Sequence, residues 1–189
     1  MSTEPRTHST TPQTADGILI RPLFATEAEA VAALVNGYRF RPGGTGALLP
    51  VSPERVLEII EDPSKGSFFA AIGPRGDLAG CVSVVIYGRP SQTVPADLSE
   101  HIVELRSLVV SPDYRNSGLG ARLIHTATDE AARLGFAKLY AFVNARVLPL
   151  FERSTFTRAM KPPQKLLAEC NSCPIQMECA EISVVADIA

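Results

Sequence analysis

Leu108-Val109-Val110-Ser111-Pro112-Asp113-Tyr114-Arg115-Asn116-Ser117-Gly118-Leu119-Gly120-Ala121 is the stretch on which the fold turns. Leu108–Val110 reads as the end of a buried strand, Ser111-Pro112 as a turn, and Gly118 as the start of a helix running to Leu134. That helix carries Leu119, Leu123, Ala127 and Ala131 along one side and meets Gly135 at its expected stop. Strand, turn, Arg-x-x-Gly-x-Gly and helix together make a cradle for a pyrophosphate. The first N–H groups of a helix have no partner inside it, and the helix dipole favours an anion there. Gly118 and Gly120 take away side chains that would obstruct close approach to the backbone, and Arg115 adds positive charge. A turn that uses glycine only for its backbone angles is the plain alternative, and a lone Gly-x-Gly would deserve it. The dinucleotide fingerprint is excluded because the glycine order differs and no acidic ribose ligand follows a next strand.

Outward from this block the chain reads as a mixed α/β domain. Ile18–Leu23 is a first strand, and Thr26 caps a helix with Ala28, Val31, Ala32, Leu34 and Val35 on its apolar side. Arg41–Gly46 is a loop. Ser52-Pro53-Glu54 opens a second helix, which ends at Asp62-Pro63. Ser67–Ile72 and Leu78–Tyr87 flank Gly73-Pro74-Arg75-Gly76-Asp77 and form an antiparallel hairpin. Glu104–Val110, Ala137–Val143, a short helix at Val147–Arg153, and closing strands near Phe156–Met160 and Ile182–Ile188 complete the order. An antiparallel front half is thus followed by a strand-helix-strand unit, in one domain over 17–189. The stretch 161–180 is a Cys-containing loop or helix before the last strand.

At 189 residues, with 46% hydrophobic and 20% charged residues, the chain is long enough to bury one core. Its net charge of -2 and the lack of a Lys/Arg run speak against nucleic acid as a partner. Residues 1–16 are rich in Ser, Thr and Pro and read as a disordered tail. No apolar run approaches the ~18–20 residues needed to cross a bilayer. No membrane partner and a cytoplasmic location are therefore expected, with thiols reduced.

The Arg115–Gly120 block resembles the central motif of the GNAT acetyltransferases. The resemblance implies a single GNAT-like domain of α/β (α+β) class, with a mixed, mostly antiparallel twisted sheet flanked by helices. It implies acetyl-CoA as co-substrate, its phosphates held by the loop's backbone N–H groups. A second match follows: Asn144, Val147, Leu150, Phe151 and Phe156 resemble the family's late pattern of Asn, small residue, Leu-Tyr, then Gly-Phe. Carried over, the coenzyme contacts are Leu108, Val109, Val110, Arg115, Asn116, Ser117, Gly118, Leu119, Gly120, Asn144 and Phe151. Asn144 would lie beside the pantetheine or the reacting thioester and share in catalysis. Two positions depart from the pattern. Phe151 stands where many members have a Tyr acid, and Thr155 replaces the usual Gly.

Gly46–Pro50, Leu78–Cys81, Glu104–Leu108, Lys165–Cys170, Cys170-x2-Cys173-Pro174 and Cys179-Ala180-Glu181 form an ordered set. Together they are similar to the short bacterial amino-acid N-acetyltransferases that make N-acetylglutamate. The resemblance implies L-glutamate as acceptor, a place in arginine biosynthesis, and a homodimer as partner state. Arg106 would bind the substrate carboxylate, ideally in bidentate fashion, and Glu104 would bind and deprotonate the ammonium. On an uninterrupted strand Glu104, Arg106, Leu108 and Val110 share one face. A cross-strand ion pair is the alternative reading for Glu104 and Arg106. A GNAT enzyme for another amine (polyamine, drug or protein N-terminus) and a non-catalytic acetyl-CoA sensor also remain open.

Cys81 sits mid-strand as a small buried hydrophobe. Cys170, Cys173 and Cys179 have metal-like spacing but supply three ligands where a closed zinc site wants four. Plain thiols are the expectation and metal a minority reading. His8 lies in the tail, His101 before the Glu104 strand, and His125 on the long helix.

Overall fold

The computed structural model describes residues 13–38, 50–87, 102–167 and 180–188. Within them an eight-stranded sheet runs in the order β1-β2-β3-β4-β5-β6-β8-β7. The strands are β1 (Gln13–Ala15), β2 (Ile18–Pro22), β3 (Gly66–Ile72), β4 (Leu78–Tyr87), β5 (Ile102–Val110), β6 (Lys138–Val143), β7 (Thr157–Arg158) and β8 (Ile182–Asp187). The helices are α1 (Ala28–Tyr38), α2 (Pro53–Glu61), α3 (Leu119–Arg133), α4 (Leu148–Arg153) and α5 (Gln164–Leu167). Every neighbouring pair of strands is antiparallel except β5 and β6. Those two are joined by α3, as a parallel crossover requires. The α/β class, the 73–77 hairpin turn and the strand-helix-strand unit are as the sequence predicts.

Each face of the sheet has its own core. Leu119, Leu123, Ile124, Ala127 and Ala131 of α3 and Leu148 and Phe151 of α4 pack on one face, against Ile20, Phe69, Val82, Val84 and Leu105. Ala28, Val31, Ala32 and Val35 of α1 and Val56 and Ile59 of α2 cover the other face, over Phe68, Ala70, Cys81 and Val85. Period-2 alternation in β3 and β4 supplies both sets of contacts. Ser52 caps α2 as expected, its hydroxyl accepting the Arg55 N–H at 3.2 Å.

Two readings of the first half need correction. Gln13–Ala15 pairs with β2 and is therefore not part of a disordered tail. Asp16 (φ 52°) and Gly17 (φ 73°) make the left-handed two-residue turn that Asp-Gly favours, so the hairpin signal was in the sequence. Thr26 does not cap α1. A 3₁₀ turn, Ala25–Glu27, precedes the helix, and it is the Glu27 carboxylate that accepts the Phe24 N–H at 3.0 Å. Arg21 fixes that carboxylate through two bonds of 2.8 and 2.7 Å.

The feature that makes the site lies in β5. Cys81 pairs with Val109 and Ser83 with Arg106, so β5 holds one extra residue between these pairs. Ser107 sits at φ 52° there, which makes the irregularity a β-bulge. The bulge breaks the alternation that the unbroken sequence implies. Glu104 and Arg106 share a face with Val85 and Ser83, toward α1 and α2, whereas Leu108 and Val110 pack into the α3 core. The expectation that all four share one face is thus corrected. Just beyond, β5 and β6 are in register only at Glu104–Tyr140 and Leu105–Ala141. Residues Arg106–Val110 are all half-buried although β5 is a central strand. The sheet opens along this line.

Candidate active site

The loop between β5 and α3 is held in shape by a few contacts. Pro112–Tyr114 forms a 3₁₀ turn, and the Tyr114 carbonyl accepts the Ser117 hydroxyl at 2.7 Å. Asn116 (φ 62°) and Gly118 (φ 80°) both adopt left-handed conformations, the second as the residue just before α3. The first helical bond is Arg122 N–H to Gly118 O, 3.2 Å. The amides of Leu119, Gly120 and Ala121 therefore project past the helix start without an intrahelical acceptor. These are the amides to which the sequence reading gives the role of an anion cradle.

The two glycines serve different ends. A Cβ on Gly118 would meet nothing within 4 Å, so its positive φ is what calls for glycine. A Cβ on Gly120 would lie 3.1 Å from Leu150 Cδ2, so Gly120 lets α3 pack closely on α4. Arg115 donates from Nε to the Val110 carbonyl at 3.2 Å, and its guanidinium lies 5.0 Å from the Tyr38 ring centroid. It staples the loop to the end of α1.

Backbone direction at the end of β5 follows from one bond. The Ser111 N–H donates to Ala79 O at 2.9 Å, across to β4. Successive strand amides point to opposite sides, so the Val110 N–H turns away from β4 toward the opening beside β6. Leu108 and Val110 flank that opening on the α3 side, while Val109 faces the α1/α2 core. Leu119 is 1% exposed and packed in the core, so its side chain has no surface to offer a ligand.

On the other face, Glu104 and Arg106 come together through a residue that sequence reasoning missed. The Tyr87 hydroxyl donates to Glu104 Oε2 at 2.7 Å and accepts from Arg106 Nη1 at 2.8 Å. Arg106 Nε lies 3.8 Å from the same carboxylate oxygen. Glu104 is 6% exposed, in keeping with a carboxylate that is paired and hydrogen-bonded. Tyr140, its register partner on β6, lies on the same face. The signal for Tyr87 was only its alternation with Ser83 and Val85 along β4.

The late motif forms the turn from β6 into α4 and part of the core. Asn144 Oδ1 accepts the N–H groups of Arg146 and Val147 at 3.0 and 3.2 Å, which turns the chain from β6 into α4. Phe151 is 2% exposed and packs edge-on against Phe156, with ring centroids 5.1 Å apart at 82°. It packs as a core residue on the α3 side of the sheet. Thr155 adopts φ 69°, a conformation that favours the glycine usual at that position.

His125 is exposed, 3.6 Å from Asp129. Cys81 is fully buried, as expected. The Arg41–Gly46 loop, Gly46–Leu49, His8, His101, Cys170, Cys173 and Cys179 lie outside the described residues. Among the described residues no group of three or more metal-ligating side chains is present, and no helix is long and apolar enough to cross a membrane.

The sheet is mostly antiparallel, opens beside its one parallel pair, and has beside that opening a helix start whose first amides have no intrahelical acceptor. The model of the Acetyltransferase (GNAT) family matches residues 30–156, and the chain belongs to that family. Acetyl-CoA is its co-substrate, and the protein is an N-acetyltransferase. An uncharacterized N-acetyltransferase of Chlorobaculum tepidum is 29% identical over 88% of this chain and 94% of its own length. The Bacillus subtilis phosphinothricin acetyltransferase-like protein YwnH is 30% identical, over 69% of this chain and 78% of its own. Among solved structures, the N-acetylglutamate synthase of Neisseria gonorrhoeae, complexed with coenzyme A and N-acetyl-glutamate, superposes with a TM-score of 0.68. The identity is 21%; the match covers 93% of this chain but spans only 36% of the synthase.

Proposed function

We propose that this N-acetyltransferase acetylates the α-amino group of an acidic amino acid, with L-glutamate the best candidate, by direct attack on acetyl-CoA. The observation that carries the reading is the placement of Glu104 and Arg106. A carboxylate and a guanidinium, tied through Tyr87, lie on the α1/α2 face where β5 and β6 part. The phosphate cradle lies on the α3 side of the same parting. An acceptor entering from one face can therefore meet a thioester delivered from the other. Two of the similar proteins, an N-acetylglutamate synthase and a phosphinothricin acetyltransferase-like protein, are named for acidic amino-acid substrates, which supports the class.

In this mechanism Arg106 holds the acceptor carboxylate. Glu104 takes a proton from the ammonium, directly or through water, which frees the nitrogen lone pair. The amine attacks the thioester carbonyl, and the Val110 N–H, turned into the opening, donates to the developing oxyanion. The C–S bond then breaks, coenzyme A leaves as thiolate, and the surplus proton on the attacking nitrogen passes to that thiolate or to water. Its ordinary pKa of about 8.5 makes departure feasible without the acid that Phe151 cannot supply. Asn144 contributes by shaping the β6–α4 turn beside the thioester.

Thiol release from acetyl-CoA, measured across the twenty amino acids and a set of polyamines, tests the reading. Glutamate should be among the best acceptors. Arg106→Ala should raise its KM at least tenfold, as expected for loss of a charge-assisted contact. An unchanged KM for glutamate would sink the carboxylate assignment. Turnover restricted to polyamines would instead give the acceptor site to another amine. Tight coenzyme binding with no turnover would fit the sensor reading that Phe151 invites.

A further inference from the structure

Gly120, in the first turn of α3, faces Leu150 of α4: a Cβ on Gly120 would stand 3.1 Å from Leu150 Cδ2. α4 therefore runs beside the free amides of Leu119, Gly120 and Ala121. Its winding begins before Leu148, since the Leu148 N–H donates to Asn144 O at 3.2 Å. The Asn144 side chain holds the Arg146 N–H in that turn at 3.0 Å. On such a winding, residues three and four apart are neighbours on one face. Arg146, four before Leu150, and Arg153, three after it, thus share the face that Leu150 turns to the start of α3. The two lie about 10 Å apart along the axis, close enough for two long side chains to converge on one anion.

Both arginines are exposed. Among the described residues neither guanidinium has an ion pair, a hydrogen bond or a ring partner. Arg21, Arg55, Arg75, Arg106 and Arg133 pair with carboxylates, and Arg115 and Arg122 donate to carbonyls. Arg158 also lacks a partner among the described residues, but it lies on the edge strand β7. Helix electrostatics accounts for only one of the two on α4. Arg153 is in the last turn, where a cation is favoured, whereas Arg146 stands at the opposite end, where a cation is disfavoured. Two uncompensated cations beside a helix start with free amides concentrate positive potential. A ligand with more than one anionic group would offset it.

Coenzyme A is such a ligand. Besides its pyrophosphate it carries a phosphate monoester on the ribose 3′ oxygen, and guanidinium groups bind phosphate through paired N–H donors. We propose that Arg146 and Arg153 form a subsite for that 3′-phosphate, so that α4 gives the enzyme a preference for coenzyme A over its 3′-dephospho form. The subsite rests on the phosphate cradle at Leu119–Ala121: with the pyrophosphate there, α4 is the neighbouring element that offers unpaired cations to the next phosphate. It does not depend on which amine is the acceptor.

Calorimetric titration of the full chain with coenzyme A and with 3′-dephospho-coenzyme A tests this. The native protein should bind coenzyme A roughly tenfold or more tightly than the dephospho form, the scale of a charge-assisted hydrogen bond. Arg146→Gln combined with Arg153→Gln should remove most of that preference. Its Kd for coenzyme A should rise about tenfold or more, while its Kd for the dephospho form stays within about twofold. Both side chains are exposed, so the fold should persist, and thermal melting checks it. Equal affinity of the native protein for the two coenzymes would overturn the subsite. Equal losses for both coenzymes in the double variant would overturn it too, because the arginines would then act on the pyrophosphate or on the fold. Gly118→Val tests the cradle separately: a side chain at φ 80° strains the helix start and should weaken both coenzymes by the same factor. If it weakens neither, the cradle reading falls, and the comparison of the two coenzymes still decides what the arginines do.

Discussion

Cys81, in the middle of β4, has no exposed surface, and its Sγ donates to the Ser107 carbonyl at 3.3 Å. The thiol therefore lies against the bulge that splits the site, supporting a carbonyl that has left the ordinary ladder. Burial pushes its pKa up from 9.0 to about 12, only partly offset by the Val109 backbone. A group held protonated in the folded state contributes stability that is complete below its unfolded pKa and is lost as pH climbs toward the folded one. Here that window runs from about 9 to about 12. Urea unfolding should show native stability falling across it by up to ~1.4 kcal/mol per pH unit. Cys81→Ala should lack this component, and parallel curves for the two proteins would contradict it. Most single-residue roles of this kind were legible in part. The sequence marked Cys81 as a buried small residue, while its contact with Ser107 depends on a bulge that no glycine announces.

The loop between β5 and α3 is stabilised by a neighbour distant in sequence. Tyr114 Oη lies 2.8 Å from both carboxylate oxygens of Asp77, in the turn that joins β3 to β4. Asp77 is held below the usual carboxylate range by the Tyr114 bond first and Arg75 next, and the Tyr114 phenol is correspondingly raised. Gly73 completes the joint, since a Cβ there would stand 2.2 Å from the Tyr114 hydroxyl. With Asn116 and Gly118 in left-handed conformations, this brace is what sets the entry to α3. Tyr114→Phe should keep the fold but weaken coenzyme A binding roughly three- to tenfold in calorimetric titration. An unchanged Kd would mean the loop holds its shape without the brace. The elements themselves were readable because their apolar periods are regular: β4 and α2 fall where the pattern puts them. Where the reading failed, local chemistry competed. Asp16-Gly17 drew β1 out of a polar tail, and Glu27 took the capping role expected of Thr26.

Across the whole molecule the decisive fact is the partial pairing of β5 with β6. The sheet, with a helical cover on each face, has a seam between β5 and β6 that is paired at one end and open at the other. A ligand lying in that opening is bound by the folded chain alone, so it should stabilise the whole domain. At 100 times its Kd, coenzyme A should add about 2.7 kcal/mol and raise Tm by roughly 5–10 °C for a chain of this size. Thermal melts with and without coenzyme A measure this, and a Tm that ignores the ligand would mean that the folded chain does not bind it.

The sequence by itself determined the family and the co-substrate of this protein. Strand, turn, glycines and helix start are contiguous in Leu108–Ala121, and a helix N-terminus binds anions through its own backbone wherever it sits. The acceptor half was decided only by the tertiary structure. Glu104 and Arg106 were visible as residue types, but which face they occupy depends on a one-residue bulge at Ser107. A shift of one residue turns every later side chain to the other side of the sheet. Tyr87 joined them only because β4 and β5 lie side by side, a contact made by register and not by sequence spacing. Phe151 went to the core for a similar reason: Phe156, five residues on, packed against it.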